Sequence, residues 1–333
     1  MKINSKKLVL VLLLVSISCI YPQVDLSKTA QSTMNFLLVG TSPKAAGLGE
    51  AYTSLGTGSE GIFYNPSGLA VMEKQFDIVV NYTKWIADIN YLSGGLAFNI
   101  NEYGVLGLHL VTVDYGVING TSLLSDNFDP LGYIDNGPLG NVGAYVIGLS
   151  YAKSISRQFS IGGNIKLAGQ NLGSNVFSDG RQKDNDATKL AFDAGVRYNT
   201  LYKGFVFGMS VRNFSSNIKR EEIDEQLPLI FSMGASINVM EIFNFDPGSS
   251  FLVAVDFLHQ NNYSERVNLG AEYKFLDMIA LRGGYQTNRD LASWSGGVGL
   301  SQTLFDYDLE VNYSYSRFEI FDSVSRLSLH VSF

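Results

Sequence analysis

Three histidines, His109, His259 and His330, are the only imidazoles in the 333-residue chain. None stands in a His-Glu-x-x-His pattern or beside another metal-ligating side chain, so the spacing supports neither a metal centre nor a cofactor. His330 lies between Ser328 and Ser332 at alternating positions. A serine–histidine pair there would share one strand face with no third group to orient the base, so a polar lining is the better reading. The chain is expected not to be an enzyme. Asp179, Asp184 and Asp186 are interrupted by Arg181 and Lys183, which makes a solvated loop of a would-be cation site; Lys219 to Glu225 reads the same way. Gly94-Gly95 and Gly296-Gly297 sit inside alternating segments without a following helix, so they suggest bends or close approach of another segment rather than phosphate loops.

The remaining chemistry is charge. Lys166, Asp193, Arg197, Arg212, Asp256, Glu272, Lys274, Arg282 and Glu310 fall on the small or polar face of segments whose other face is apolar. Phe159, Ile161, Ile165 and Leu167 alternate with Ser160, Gly162, Asn164, Lys166 and Ala168; Tyr307, Leu309, Val311, Tyr313 and Tyr315 alternate with Asp308, Glu310, Asn312, Ser314 and Ser316. Period two is the mark of a strand with two different faces. A soluble sandwich would turn the apolar face inward, leaving this polar face wet. Turned outward to lipid, the apolar face instead leaves the charges in a wet lumen, since Arg or Lys facing lipid at midplane costs roughly 2–4 kcal/mol. Within a lumen they can pair with each other, or form a polar track for a solute.

Composition points the same way. Hydrophobic residues make up 46% and charged ones only 17%, below the roughly 25% of soluble domains. Lys2, Lys6 and Lys7 followed by the apolar run Leu8 to Val15 read as a signal peptide over residues 1–23, too short to span as a helix. Cys19, the sole cysteine, would leave with it or carry a lipid. Loss of three lysines moves the net charge from −7 to −10 (21 basic against 31 acidic), which argues against nucleic acid.

Alternating segments near 75–84, 90–100, 103–115, 142–154, 158–171, 188–199, 204–215, 228–239, 250–260, 264–275, 277–287, 293–303, 306–317 and 323–333 number about fourteen, an even count as bacterial barrels require. If the first strand leaves the periplasm, odd connections are extracellular. The third (117–140), fifth (172–187) and seventh (216–227) are the long ones. The expected architecture is all-β: a transmembrane outer-membrane barrel of about 14 antiparallel strands over residues 74–333, with residues 24–73 forming an N-terminal segment and lumen plug of short helices and turns. Leu327, Leu329, Val331 and terminal Phe333 resemble the C-terminal assembly signal of such barrels.

The plug segment carries a resemblance. Asn35-Phe36-Leu37-Leu38, the stretch Gly40 to Gly49 containing Pro43 and Gly47, and Tyr64-Asn65-Pro66-Ser67-Gly68-Leu69 are similar to the opening motif of PorV/PorQ family proteins, within the wider superfamily of FadL-type channels. The sequence departs from the motif at Pro43-Lys44 and at Ser67. The resemblance implies a plugged fourteen-stranded barrel in the cell outer membrane, with Pro43, Gly47, Gly49, Tyr64, Asn65, Pro66, Gly68 and Leu69 as structural plug residues. It also implies a PorV-like role in type IX secretion, binding secreted proteins or secretion-system components at the cell surface. The alternative is a FadL-like channel for hydrophobic small molecules, for which an apolar pocket between plug and wall and a break in one strand ladder are expected.

Overall fold

The computed structural model describes residues 32–123, 132–140, 142–176, 181–220, 223–243, 248–288, 294–318, 320–321 and 323–333. The leader expected over 1–23, with Cys19, lies outside the described residues, as does Asp179.

Fourteen antiparallel strands close into one barrel. They are β1 (Phe76–Lys84), β2 (Asn90–Asn99), β3 (Val105–Asp114), β4 (Gly143–Ser154), β5 (Phe159–Val176), β6 (Gln182–Asn199) and β7 (Val206–Phe214). They continue as β8 (Ile230–Asn238), β9 (Ser249–Gln260), β10 (Tyr263–Phe275), β11 (Ile279–Gln286), β12 (Trp294–Leu304), β13 (Tyr307–Ser316) and β14 (Val324–Ser332). Each strand pairs with its neighbour in sequence, and β14 returns to β1 with Asp77 opposite Ser332 and Lys84 opposite Ser325. Closure leaves no free edge, the condition for backbone polar groups to survive in hydrocarbon. Phe333 completes the seam: its N–H and carbonyl exchange bonds with Phe76 at 2.9 and 2.8 Å. Its ring stacks 5.2 Å from Phe76 and lies 5.2 Å from Tyr307.

Alternation decides which side chains meet lipid. Val80, Tyr82, Leu106, Leu108, Leu110, Ile147 and Leu149 are exposed on the outer wall. Asn81, Thr83, Ser93, Asn164, Ser210, Asn268, Asn312 and Ser328 are buried inside. No described helix is long and apolar enough to cross a membrane, and the strands do the crossing.

Two connections and one hairpin differ from the expected boundaries. The third connection folds into its own two-stranded hairpin, Asn119–Leu123 with Tyr133–Pro138, and the seventh into Ile218–Arg220 with Ile223–Glu225. Strands β5 and β6 run on past the wall, pairing Val176 with Gln182, so most of the expected fifth loop is strand.

The plug enters at the end bearing these long connections. Thr33 N–H donates to Gln226 O at 3.0 Å, and Met34 and Phe36 pack on Tyr91, Val113, Val146, Ile218 and Leu227. The chain then descends through α1 (Pro43–Gly47), α2 (Gly58–Gly61) and a 3-10 turn (Pro66–Val71) to the turn end. Ser42 caps α1 by accepting from Ala45 N–H, with Pro43 in the first helical turn, where its missing N–H costs nothing. A further short helix, α3 (Val239–Phe243), lies in the turn between β8 and β9.

Candidate functional site: the plug and the cavity beneath its strap

Asn65 is the hub of the plug. Its Oδ1 accepts from Ser67 N–H at 3.2 Å and Ser67 Oγ at 2.7 Å, and its Nδ2 donates to Thr53 O at 2.9 Å and to Val196 O of β6 at 3.0 Å. Pro66 opens the 3-10 turn, Gly68 lies against the Gly56 carbonyl, and Leu69 is buried among Ile62, Ala97, Val105 and Ala152. Tyr64 stacks edge-on to Tyr52 at 5.2 Å, with the Arg212 guanidinium 5.6 Å from its ring. Gly47 packs against Gly297, and Gly49 takes a left-handed φ of 63° against β11. The wall is cut to fit: a Cβ at Gly284 would overlap the Gly49 amide nitrogen, and one at Gly195 would overlap the Asn65 carboxamide oxygen.

The inward charges bind this plug. Lys44 bridges Glu310 of β13 at 2.6 Å and Glu60 of α2 at 3.3 Å. Burial works against the Lys44 ammonium, but Glu60 and Glu310 outweigh it and hold its pKa above the ordinary lysine value. Glu60 also accepts from the Ser42 hydroxyl and, at 2.9 Å, from Tyr52 OH. Burial and that carboxylate push the Tyr52 phenol well above its usual value, so it stays a donor. Arg282 of β11 reaches Glu272 at 2.5 Å, Asn312 at 2.7 Å and Glu310 at 3.5 Å. Asp256 accepts the Tyr52 and Thr53 amides at 2.9 and 2.8 Å, Arg197 donates to Ser54 O at 3.3 Å, and Arg212 donates to Phe63 O at 2.7 Å. Lys274 lies at the turn-end mouth, in an open bowl of about 530 Å³ that Glu310 and His330 also line.

His330 meets no serine. Its Nε2 lies 2.9 Å from Asp77 and its Nδ1 3.8 Å from Glu310, while Ser328 Oγ accepts from Asn312. His109 is buried beside Ser150 Oγ at 3.3 Å and edge-on to Phe63; His259 is exposed near Glu265. Among the described residues no three His, Cys, Asp or Glu side chains converge as a metal would need.

Above the interlocked core a cavity of about 100 Å³ remains between strap residues 36–41 and the wall. Phe36, Leu38, Ile62, Phe63, Val146 and Leu258 line its apolar part. Lys166, Asp193, Arg212 and Asn213 line one polar end and Glu50, Gln260, Arg266, Asn268 and Gln286 add further polar groups, so the pocket is half polar rather than wholly apolar. The wall breaks its register at that end: Phe192 faces Phe214, but Ala194 faces Val211. Asn213 adopts φ 64° in this bulge and aims its N–H at Asp193 Oδ1, 2.7 Å away, out of the ladder. Lys166 closes the gap, donating to Asp193 at 2.8 Å and to the Asn213 side chain at 2.6 Å. Asn213, Asp77, Ser59, which donates its N–H to Asp77 at 2.8 Å, and Glu60 were not singled out from sequence. Glu60 alone had a signal, as an isolated charge in a run of small residues.

No protein-family model and no curated protein matches this sequence. Solved structures do. A Pseudomonas aeruginosa FadL homologue is 13% identical, over 88% of this chain and 98% of that one, with a TM-score of 0.54. The Ralstonia pickettii toluene transporter TbuX is 13% identical over 90% and 100%, TM-score 0.56, and the Pseudomonas putida toluene transporter TodX is 12% identical over 86% and 96%, TM-score 0.56. At such identity the likeness is one of fold. The closed fourteen-stranded barrel is like that of these FadL-type outer-membrane proteins, and the likenesses lend the PorV/PorQ resemblance no support.

Proposed function

We propose that this chain is an outer-membrane channel for hydrophobic small molecules, with the cavity beneath the strap as its solute site. The carrying observation is the cavity's position: it lies between plug and wall, lined in part by apolar side chains, against the register break between β6 and β7. A small apolar solute burying about 200 Å² there gains roughly 5 kcal/mol in transfer before association costs. At about 100 Å³ the cavity is smaller than the ~150 Å³ that accepts benzene in an engineered apolar site. Filling it therefore requires strap residues 36–39 to shift outward. Those residues make few wall hydrogen bonds, whereas residues 42–71 make many.

One observation favours the secretion reading: the third-connection hairpin stands beyond the wall with Tyr133 and Ile134 exposed, as a docking loop would. Purification from outer membranes in mild detergent, followed by mass spectrometry of everything that accompanies the barrel, separates the two. Bound lipophiles that disappear in a Val146→Trp variant support the channel. Secreted proteins sharing a common C-terminal domain, with no lipophile, would replace it with the secretion role.

A further inference from the structure

Tyr64, Arg212 and Asn268 line the cavity beneath the strap, and each keeps one buried polar atom without a hydrogen-bond partner among the described residues. The atoms are Tyr64 Oη, Arg212 Nε and Asn268 Oδ1. Other groups on the same side chains are committed. Arg212 Nη1 donates to Phe63 O at 2.7 Å, and Asn268 Nδ2 donates to Glu50 O at 3.2 Å, which fixes the carboxamide with its oxygen unpaired. The Tyr64 ring lies edge-on to Tyr52, with the Arg212 guanidinium 5.6 Å from its centre. A buried donor or acceptor left unpaired costs free energy, which a bound solute that pairs with it gives back.

These three atoms are two donors, the Tyr64 hydroxyl and the Arg212 Nε–H, and one acceptor, the Asn268 oxygen. A hydroxyl group is their complement, since it accepts twice and donates once. A hydrocarbon would leave all three unpaired, and a carbonyl would serve the donors but leave Asn268 Oδ1 alone. A carboxylate only accepts, so it would set a new negative charge against that oxygen. The charged groups on the wall are Lys166, Arg212 and Arg266 against Glu50 and Asp193, with Lys166 spent on Asp193 at 2.7 Å. That balance alone would admit an anion; the unpaired acceptor decides against it. The apolar part, with Phe36, Phe63, Leu38 and Val146, has room for one ring at most, because the cavity measures about 100 Å³. Resting on the channel reading, we propose that the solute is a single-ring phenol, its ring against these apolar side chains and its hydroxyl recognised by Tyr64, Arg212 and Asn268. Those three residues then set specificity, and the apolar end supplies the greater part of the burial.

Toluene, p-cresol and p-toluate test this, since the last two are toluene with a hydroxyl or a carboxylate added. Equilibrium dialysis of the purified barrel in maltoside micelles measures each against its free concentration, and the Val146→Trp barrel gives the background taken up by micelles. p-Cresol should bind about tenfold more tightly than toluene, as one or two hydrogen bonds would give, and p-toluate should bind more weakly than p-cresol. In Tyr64→Phe, which removes the hydroxyl and keeps the ring, the preference for p-cresol over toluene should fall several-fold. Toluene binding as tightly as p-cresol to the wild type would overturn the phenol assignment and leave the channel reading standing. Tightest binding of p-toluate would overturn it in favour of an anion. A preference that Tyr64→Phe leaves intact would overturn the recognition assigned to these residues. Saturable binding of none of the three would overturn the solute site itself, and the channel reading with it.

Discussion

Two levels of the same lumen are built by different rules. At the level of α1, α2 and the 3-10 turn, plug backbone lies against wall backbone: Gly49 on Gly284 and Pro66 on Gly162, stitched by Lys44, Asp256 and Arg212. One level higher, strap residues 36–41 leave a cavity against part of the wall, and the ladder between β6 and β7 slips by one residue. The lower level has no volume to give, since backbone in contact with backbone cannot rotate aside. The upper level holds both free volume and a wall whose closure rests on side chains. On the proposed channel role, motion that admits a solute belongs to the upper level, with the lower one as the floor it moves against.

That contrast can be broken first at the floor. Gly284→Leu should cost about 3 kcal/mol or more, the upper end of overpacking, because no rotamer relieves an overlap with the Gly49 amide. A lower urea midpoint and new protease cuts within residues 42–72 would register it. A wild-type midpoint would mean that the plug floats. Lys44→Met comes next: it strands Glu60 and Glu310 with less compensation. It should lower stability by roughly 3–5 kcal/mol, as loss of one member of a buried pair does. Lys44→Arg should recover part of that loss.

The upper level should respond differently. Lys166→Met strands the buried Asp193 carboxylate, which keeps the Asn164 and Asn213 donors, at a cost of about 3 kcal/mol. Solute flux should rise in vesicles while protease resistance of residues 42–72 stays unchanged. If flux is unchanged and the plug is cut, the two levels are not separable. The smallest effect is expected from Asp256→Asn, which keeps an acceptor for Tyr52 and Thr53 but loses its charge. About 1 kcal/mol is expected in denaturant unfolding.

Much of the wall was legible because lipid and lumen impose opposite demands on alternate residues. Leu327, Leu329 and Val331 against Ser328, His330 and Ser332 is one such contrast, and the barrel closes as that alternation implies. The same reasoning faded where the contrast vanishes. Gln182 to Asp186 lie beyond the lipid belt, are polar on both faces, and still form strand. The bulge at Asn213 left only a weak mark, since asparagine tolerates left-handed backbone but is common on the polar face of a strand. The inward side of Lys166, Asp193, Arg282 and Glu310 follows from period two, but their partners do not. Lys44 meets Glu310 only because the chain doubles back through its own barrel.

Passage of solute through the cavity under the strap is best tested by uptake of radiolabelled toluene into cells that lack their own hydrocarbon channel, comparing wild type, Val146→Trp and empty vector. Uptake should exceed vector for wild type and return to the vector level when the indole fills the cavity, with the variant still inserted and heat-modifiable. Equal uptake in all three, or uptake that Val146→Trp leaves untouched, would contradict it.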